Sequence, residues 1–194
     1  MPWEKSFDVE EAVGLGLNVF WAKGYEATSL SDLLEAIGIN KGSFYNAFGS
    51  KKKLFVRGLL KYDTEQRKAM MDELSALQNP VTAITMFFDE IIDQSLCDKE
   101  HKGCLFVNTA LDMPNHDEDI QSIVKKSLAE SETFFLEQIA LGQKTGTIPD
   151  TVDQHQVAKA LLASTVGLRV LARGTFDEYG LRAVKEQAIS LLKL

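Results

Sequence analysis

The stretch Thr28-Ser-Leu-Ser-Asp-Leu-Leu-Glu-Ala-Ile-Gly-Ile-Asn-Lys-Gly-Ser-Phe-Tyr-Asn-Ala-Phe-Gly-Ser-Lys51 decides how this chain folds. Ser29 is a good helix N-cap, and Asp32 three residues on makes it close to a capping box. The helix that it starts is short, runs through Leu33, Leu34 and Ile37, and is broken by Gly38. Asn40 caps a second short helix containing Phe44 and Tyr45, and Gly49-Ser50 precede a long helix from Lys51 to about Leu77. Two short helices separated by a single glycine must cross steeply, which is the geometry of a helix-turn-helix. Leu30, Leu33, Leu34, Ile37, Ile39 and Phe44 bury the inside of that corner, and Phe48 and Leu54 belong to the same core. Lys41, Ser43, Tyr45 and Asn46 are left to solvent. Those are donors and acceptors of the kind that meet phosphates and base edges in a major groove. Gly42 leaves room for close backbone approach, and Lys51 opens the next helix, where its charge and the helix-end amides suit a phosphate.

The charge pattern agrees with this reading, although the chain as a whole is acidic. The net charge is -7 and the isoelectric point near 5.0. From Ala36 to Tyr62, however, there are six basic residues (Lys41, Lys51, Lys52, Lys53, Arg57 and Lys61) and no acidic one. The field of one face, not the total, governs contact with phosphate.

Working outward, helical periodicity runs through most of the 194 residues, and strand signals are nearly absent. A first helix spans about Val9 to Lys23, with Val9, Val13, Leu17 and Phe20 as its seam, and Gly24 ends it. Downstream, Asn79-Pro80 opens a helix carrying Ile84, Phe87, Phe88, Ile91 and Ile92. Gly103 to Leu111 is a short apolar helix ended by Pro114. Asp117, Glu118 and Asp119 favour the start of the next, through Ile120, Val124, Leu128, Phe135 and Ile139. Asp153 starts an eighth helix and a ninth covers roughly Phe176 to Leu192. The expectation is an all-α chain of nine helices: a three-helix N-terminal unit over residues 1–50, joined by the long fourth helix to a helical bundle over 51–194.

No apolar run approaches the roughly 20 residues of a membrane span. The start, Met1-Pro2-Trp3-Glu4-Lys5, has neither the basic nor the apolar part of a signal peptide. Two cysteines, Cys97 and Cys104, are too few for a disulfide framework, so the expected location is the cytoplasm. No paired-carboxylate, nucleophile-base or phosphate-loop arrangement argues for an enzyme, and no cofactor is expected. Cys97, His101 and Cys104, with His116 beyond, match no usual zinc spacing, so no metal is expected either.

Phe20, Gly24-Tyr25, Thr28-Ser29, Ala36-Ile37-Gly38, Tyr45-Asn46-Ala47-Phe48 and Ser50-Lys51-Lys52-Lys53-Leu54 together resemble the TetR family of bacterial transcriptional regulators. The match covers about 50 residues. The resemblance implies phosphate contacts from Ser29 and Lys51, with Lys41, Gly42, Ser43, Tyr45 and Asn46 at or near the groove and Asn40 at the start of the reading helix. Ser29 alone could equally serve only as a cap. Members commonly carry basic residues on the arm before the first helix, whereas here Lys5 stands next to Glu4, and Glu10 and Glu11 follow.

The resemblance also implies a C-terminal domain that dimerises and binds a small molecule. In the last two helices Ala160, Ala163, Ser164 and Gly167 allow close approach, and Leu161, Leu168, Leu171, Ile189 and Leu192 supply apolar area for a homodimer or for an internal core. A two-fold dimer suits a palindromic site in double-stranded DNA, with reading helices roughly 34–36 Å apart. Candidates for the effector site are Phe88, Phe106, Asn108 and Phe135, although aromatics at helical spacing are more often ordinary core and Asn108 could equally be satisfied locally. Lys102-Gly103-Cys104-Leu105 resembles a Gly-Cys element of the branch that includes the N-ethylmaleimide reductase repressor, a sensor of electrophiles. Cys104, at a helix start beside Lys102, is the candidate sensor; the alternative is a structural thiol. The reading is a ligand- or thiol-responsive repressor. Alternatives are an activator of the same fold, or an all-helical enzyme or carrier.

Overall fold

The computed structural model describes residues 7–193, and among them no strand occurs. The chain divides into two compact units, 1–64 and 65–194. The arm residues Glu4 and Lys5 lie outside the described residues.

In the N-terminal unit, α1 (Val9–Lys23), α2 (Leu30–Ile37), α3 (Lys41–Phe48) and α4 (Lys51–Tyr62) follow each other with turns of a few residues. Each start is set by a local side chain. The Asp8 carboxylate accepts from the Glu10 and Glu11 N–H groups, Asn40 from Ser43 N–H, and Ser50 from Lys53 N–H. Ser29 and Asp32 form a full capping box. Gly38 ends α2 in the left-handed conformation (φ 73°), which a residue with a side chain rarely adopts and which turns the chain sharply into α3. Phe20, Leu33, Phe44, Leu54, Phe55 and Leu59 form the fully buried centre. α1 packs on α4 through two glycines: a Cβ at Gly16 would stand 2.9 Å from Leu54, and one at Gly58 2.8 Å from Leu17. α4 therefore belongs to the body of this unit, which reaches beyond the corner ending near Ser50.

Past Tyr62 the helical run continues without a break, through a π-helical stretch (Asp63–Lys68) into α5 (Ala69–Ser75). Counted as one rod with α4, this leaves nine helical rods among the described residues. The C-terminal unit then comprises α6 (Pro80–Cys97), α7 (Leu105–Leu111), a short 3-10 turn (Met113–Asn115), α8 (Glu118–Thr145), α9 (Gln154–Leu171) and α10 (Glu178–Ser190). Asn79 caps α6, with Pro80 at its first turn, and Asp153 caps α9. α8, at 28 residues, is the longest helix and packs against α6, α7 and α9, while α10 covers α6 and α9. Phe87 and Phe88 of α6 meet Phe134 and Phe135 of α8, with ring centroids 4.8 Å (Phe87–Phe135) to 6.0 Å (Phe88–Phe135) apart. Leu161, Leu168 and Leu192, considered above as area for a partner, are fully buried in the unit's own core. They fall on the inner stripe of α9 and just past the end of α10, so a partner would meet other residues.

Candidate nucleic-acid interface

The outer face of α3 carries Lys41, Gly42, Tyr45 and Asn46, all exposed. On the opposite side, Phe44 is fully buried, Phe48 nearly so, and the Phe44 ring meets those of Tyr45 and Phe48 edge-on at 5.6 and 5.4 Å. An eight-residue helix held this way has one free face about two turns long. Tyr45 is 46% exposed, so its hydroxyl end is in solvent while its ring leans on Phe44. A Cβ at Gly42 would touch only the Asn40 cap, at 3.3 Å, leaving the backbone there bare for a close approach.

Ser43 is a correction. Expected in solvent, it is only 5% exposed, because it lies beside Phe44 on the buried side of α3. Its N–H donates to the Asn40 side chain at 2.9 Å, so Asn40 too is committed to holding the helix start.

Ser29, at the start of α2, is exposed, but its hydroxyl donates to Asp32 Oδ2 (2.8 Å) and accepts from the Asp32 N–H (3.1 Å). The carboxylate of Asp32 also accepts from Ser29 N–H (2.8 Å) and pairs with Lys23 Nζ (2.6 Å). Lys23 first, then the two Ser29 donors, hold the Asp32 carboxyl far below the usual carboxylate range. A phosphate approaching Ser29 therefore meets an ionised neighbour.

The basic window is not uniformly available. Arg57 pairs with Glu10 of α1, and Lys61 stands 3.9 Å from the same carboxylate. The single Glu10 carboxylate is shared between these two cations and offsets only part of their charge, a contact between α1 and α4 that lies outside the window itself. Lys41 opens α3, and Lys51 and Lys53 lie in the first turn of α4. Lys51 Nζ lies 4.5 Å from the Tyr25 ring centroid and donates to the Glu26 carbonyl at 3.4 Å. The neighbourhood of Tyr25 was missing from the sequence-based candidates.

In the C-terminal unit the effector candidates are placed differently. Phe88 and Phe135 are fully buried and Phe106 nearly so. Asn108 donates to the Lys102 carbonyl (2.6 Å) and accepts from Arg173 (3.2 Å), so its amide holds the α6–α7 loop. Cys104 is half-buried at the N-cap of α7 and Cys97 exposed at the end of α6.

Comparison with known proteins agrees with the geometry. The family model described as bacterial regulatory proteins, tetR family, matches residues 15–57, and that of the tetracyclin repressor-like C-terminal domain matches residues 80–187. The chain is similar to the uncharacterised HTH-type transcriptional regulator YezE of Bacillus subtilis, at 27% identity over 189 residues and 97% of each chain. It is also similar to the HTH-type transcriptional repressor NemR of Escherichia coli, at 22% identity over 165 residues, 84% of this chain and 83% of NemR. Among solved structures, a cysteine mutant of the TetR-family regulator CifR, complexed with 26-bp double-strand operator DNA, superposes with a TM-score of 0.84 at 28% identity, covering 95% of this chain and 96% of that one. The chain thus belongs to the tetR family of bacterial regulatory proteins and is a DNA-binding helix-turn-helix transcriptional regulator.

Proposed function

We propose that this regulator is a cytoplasmic repressor that binds a palindromic operator as a homodimer and releases it when an effector or a thiol modification changes the C-terminal unit. The observation that carries the reading is the free face of α3, with Lys41, Gly42, Tyr45 and Asn46 exposed on a helix locked from behind by Phe44 and Phe48. Asn46 and Lys41 suit base edges, and the Tyr45 hydroxyl suits a phosphate or base. Lys51 and the amides at the start of α4 suit a flanking phosphate. Ser29 serves first as the cap of α2 and contacts phosphate only by sharing its hydroxyl with Asp32; Asn40 and Ser43 support α3 from within.

For dimerisation, the exposed Ala163 and half-buried Ala160, Ser164 and Gly167 of α9 supply a surface on which another helix can lie close. Beyond its own helix, nothing among the described residues stands within 4 Å of a Cβ placed at Gly167, so no contact among them requires glycine there. The Phe87, Phe88, Phe134 and Phe135 rings already fill the space between α6 and α8, so an effector bound at that place would have to select a second packing of them. Cys104 is the alternative entry for a signal.

The test is salt-dependent binding of the purified protein to DNA from its own promoter against random duplex. A preference of about 10³-fold or more is expected, as is typical of specific sites, and it should collapse when Lys41→Ala and Tyr45→Ala are combined. Equal affinity for both duplexes would sink the reading.

A further inference from the structure

We infer that Tyr25 is a positioning residue for DNA binding: its ring holds the Lys51 ammonium in place before any DNA arrives. The inference rests on the proposed role of Lys51 as a phosphate contact and adds the device that presets it. Tyr25 follows Gly24, where α1 ends with its chain turned outward (φ 83°) and the Gly24 N–H bonded to the Phe20 carbonyl at 2.8 Å. The turn is pinned again by Thr28, 1% exposed, whose hydroxyl donates to the Gly24 carbonyl at 2.6 Å. The Tyr25 ring then lies against two core rings: Phe55 of α4 at 4.8 Å between centroids and Phe20 of α1 at 5.9 Å. Phe20 and Phe55 are themselves 5.0 Å apart and almost fully buried, at 1% and 2% exposure. Tyr25 is thus the half-buried outer member of a three-ring cluster, and its position is set by the core.

Lys51 Nζ sits 4.5 Å from the centre of that ring, inside the range of a cation–π contact, and one of its three donors reaches the Glu26 carbonyl. Two donors are left for an oxygen acceptor. A free lysine side chain samples many rotamers and loses them on gripping a phosphate; a lysine already resting on a ring has lost most of them in the folded state. The ring attracts the cation without neutralising it, unlike the Glu10 carboxylate beside Arg57 and Lys61. That difference separates a lysine kept in readiness from an arginine held in an ion pair.

The experiment uses the full-length protein and a duplex selected by it from random DNA, with affinity measured across a range of salt. Lys51→Ala should weaken binding and reduce the salt slope by about 0.9, the share of one phosphate. Tyr25→Leu should weaken binding about two- to fivefold, the scale of a cation–π contact at an exposed site, while leaving the slope unchanged. Tyr25→Phe, which keeps the ring, should bind like the parent. In the Lys51→Ala background Tyr25→Leu should cost nothing further. A Tyr25→Leu loss that persists in full in that background overturns the inference while leaving Lys51 as a contact. A silent Lys51→Ala overturns both the contact and the inference. If Tyr25→Leu does not fold, the parent decides: the Lys51 ε-methylene protons should be shifted upfield by the ring in the DNA-free protein, and their absence from that position refutes the placement.

Discussion

Asp32 shows how one side chain can serve stability and restrain binding together. Its carboxylate is gripped by Lys23 and by both donors of Ser29, and its pKa is depressed well below the ordinary 3.8. A depressed folded-state pKa means stability that is present above the unfolded value and is lost as pH falls. The urea midpoint of the protein should therefore decline as pH is lowered through about 4, and Asp32→Asn should be less stable at pH 7 with a flatter acid limb. An unchanged acid limb in the variant would rule this out. Residue identity in the site was largely legible: Lys41, Tyr45 and Asn46 were expected on the outer face and are there. Ser43 was not legible, because in eight residues a polar side chain next to Phe44 gives no reliable phase. The Glu10 pairing of Arg57 and Lys61 was equally hidden, since it joins residues 47 and 51 positions apart.

At the scale of helices, the starts could be read and the interiors could not. Ser29, Asn40, Asn79 and Asp153 each cap the helix that the sequence assigns to them, because capping is settled within three or four residues. The π-helical stretch Asp63–Lys68 had no mark in the sequence, for its five-residue bonding depends on how the flanking turns pack. The same limit applied to α9, where Leu161 and Leu168 proved to face the core. The glycines of α1 and α4 give a paired prediction. Gly58→Ala puts a methyl 2.8 Å from Leu17 and should destabilise the protein by about 1–3 kcal/mol through overpacking. A Cβ at Gly14, in α1, would meet nothing within 4 Å among the described residues beyond its own helix, so Gly14→Ala should instead stabilise the protein by about 0.5–1 kcal/mol. Thermal or urea unfolding decides both, and a stabilising Gly58→Ala would show that the α1–α4 crossing is looser than described.

Across the whole molecule, charge is divided unevenly. Residues 1–64 hold eight basic and eight acidic side chains, so the net charge of -7 resides in residues 65–194. An acidic C-terminal unit repels the phosphate backbone and confines attraction to the corner of the N-terminal one. The proposed homodimer is tested at this scale too. Ala163→Glu, on the exposed side of α9, should halve the sedimenting mass and weaken binding to a full operator by about 100-fold or more, because two heads no longer share one complex. A variant that stays dimeric would move the interface elsewhere. The nine-rod, all-helical plan was evident from periodicity and caps, whereas the division of the chain at residue 64 depends on how α4 packs against α1.

The brevity of α3 has a consequence in information. Eight residues make a rod about 12 Å long, which spans three or four base pairs at about 3.4 Å each. If every pair is read without ambiguity, the two heads of the proposed homodimer would together distinguish roughly 16,000 sequences, or about 14 bits. A bacterial chromosome offers about 10⁶ or more positions, so an address of that length recurs by chance tens of times. On the proposed reading, in which α3 is the reading helix of a homodimer, that address is too short for a single promoter. Such a dimer would either govern a set of promoters or obtain its missing bits from the bending and groove width of the DNA between and beside its two heads.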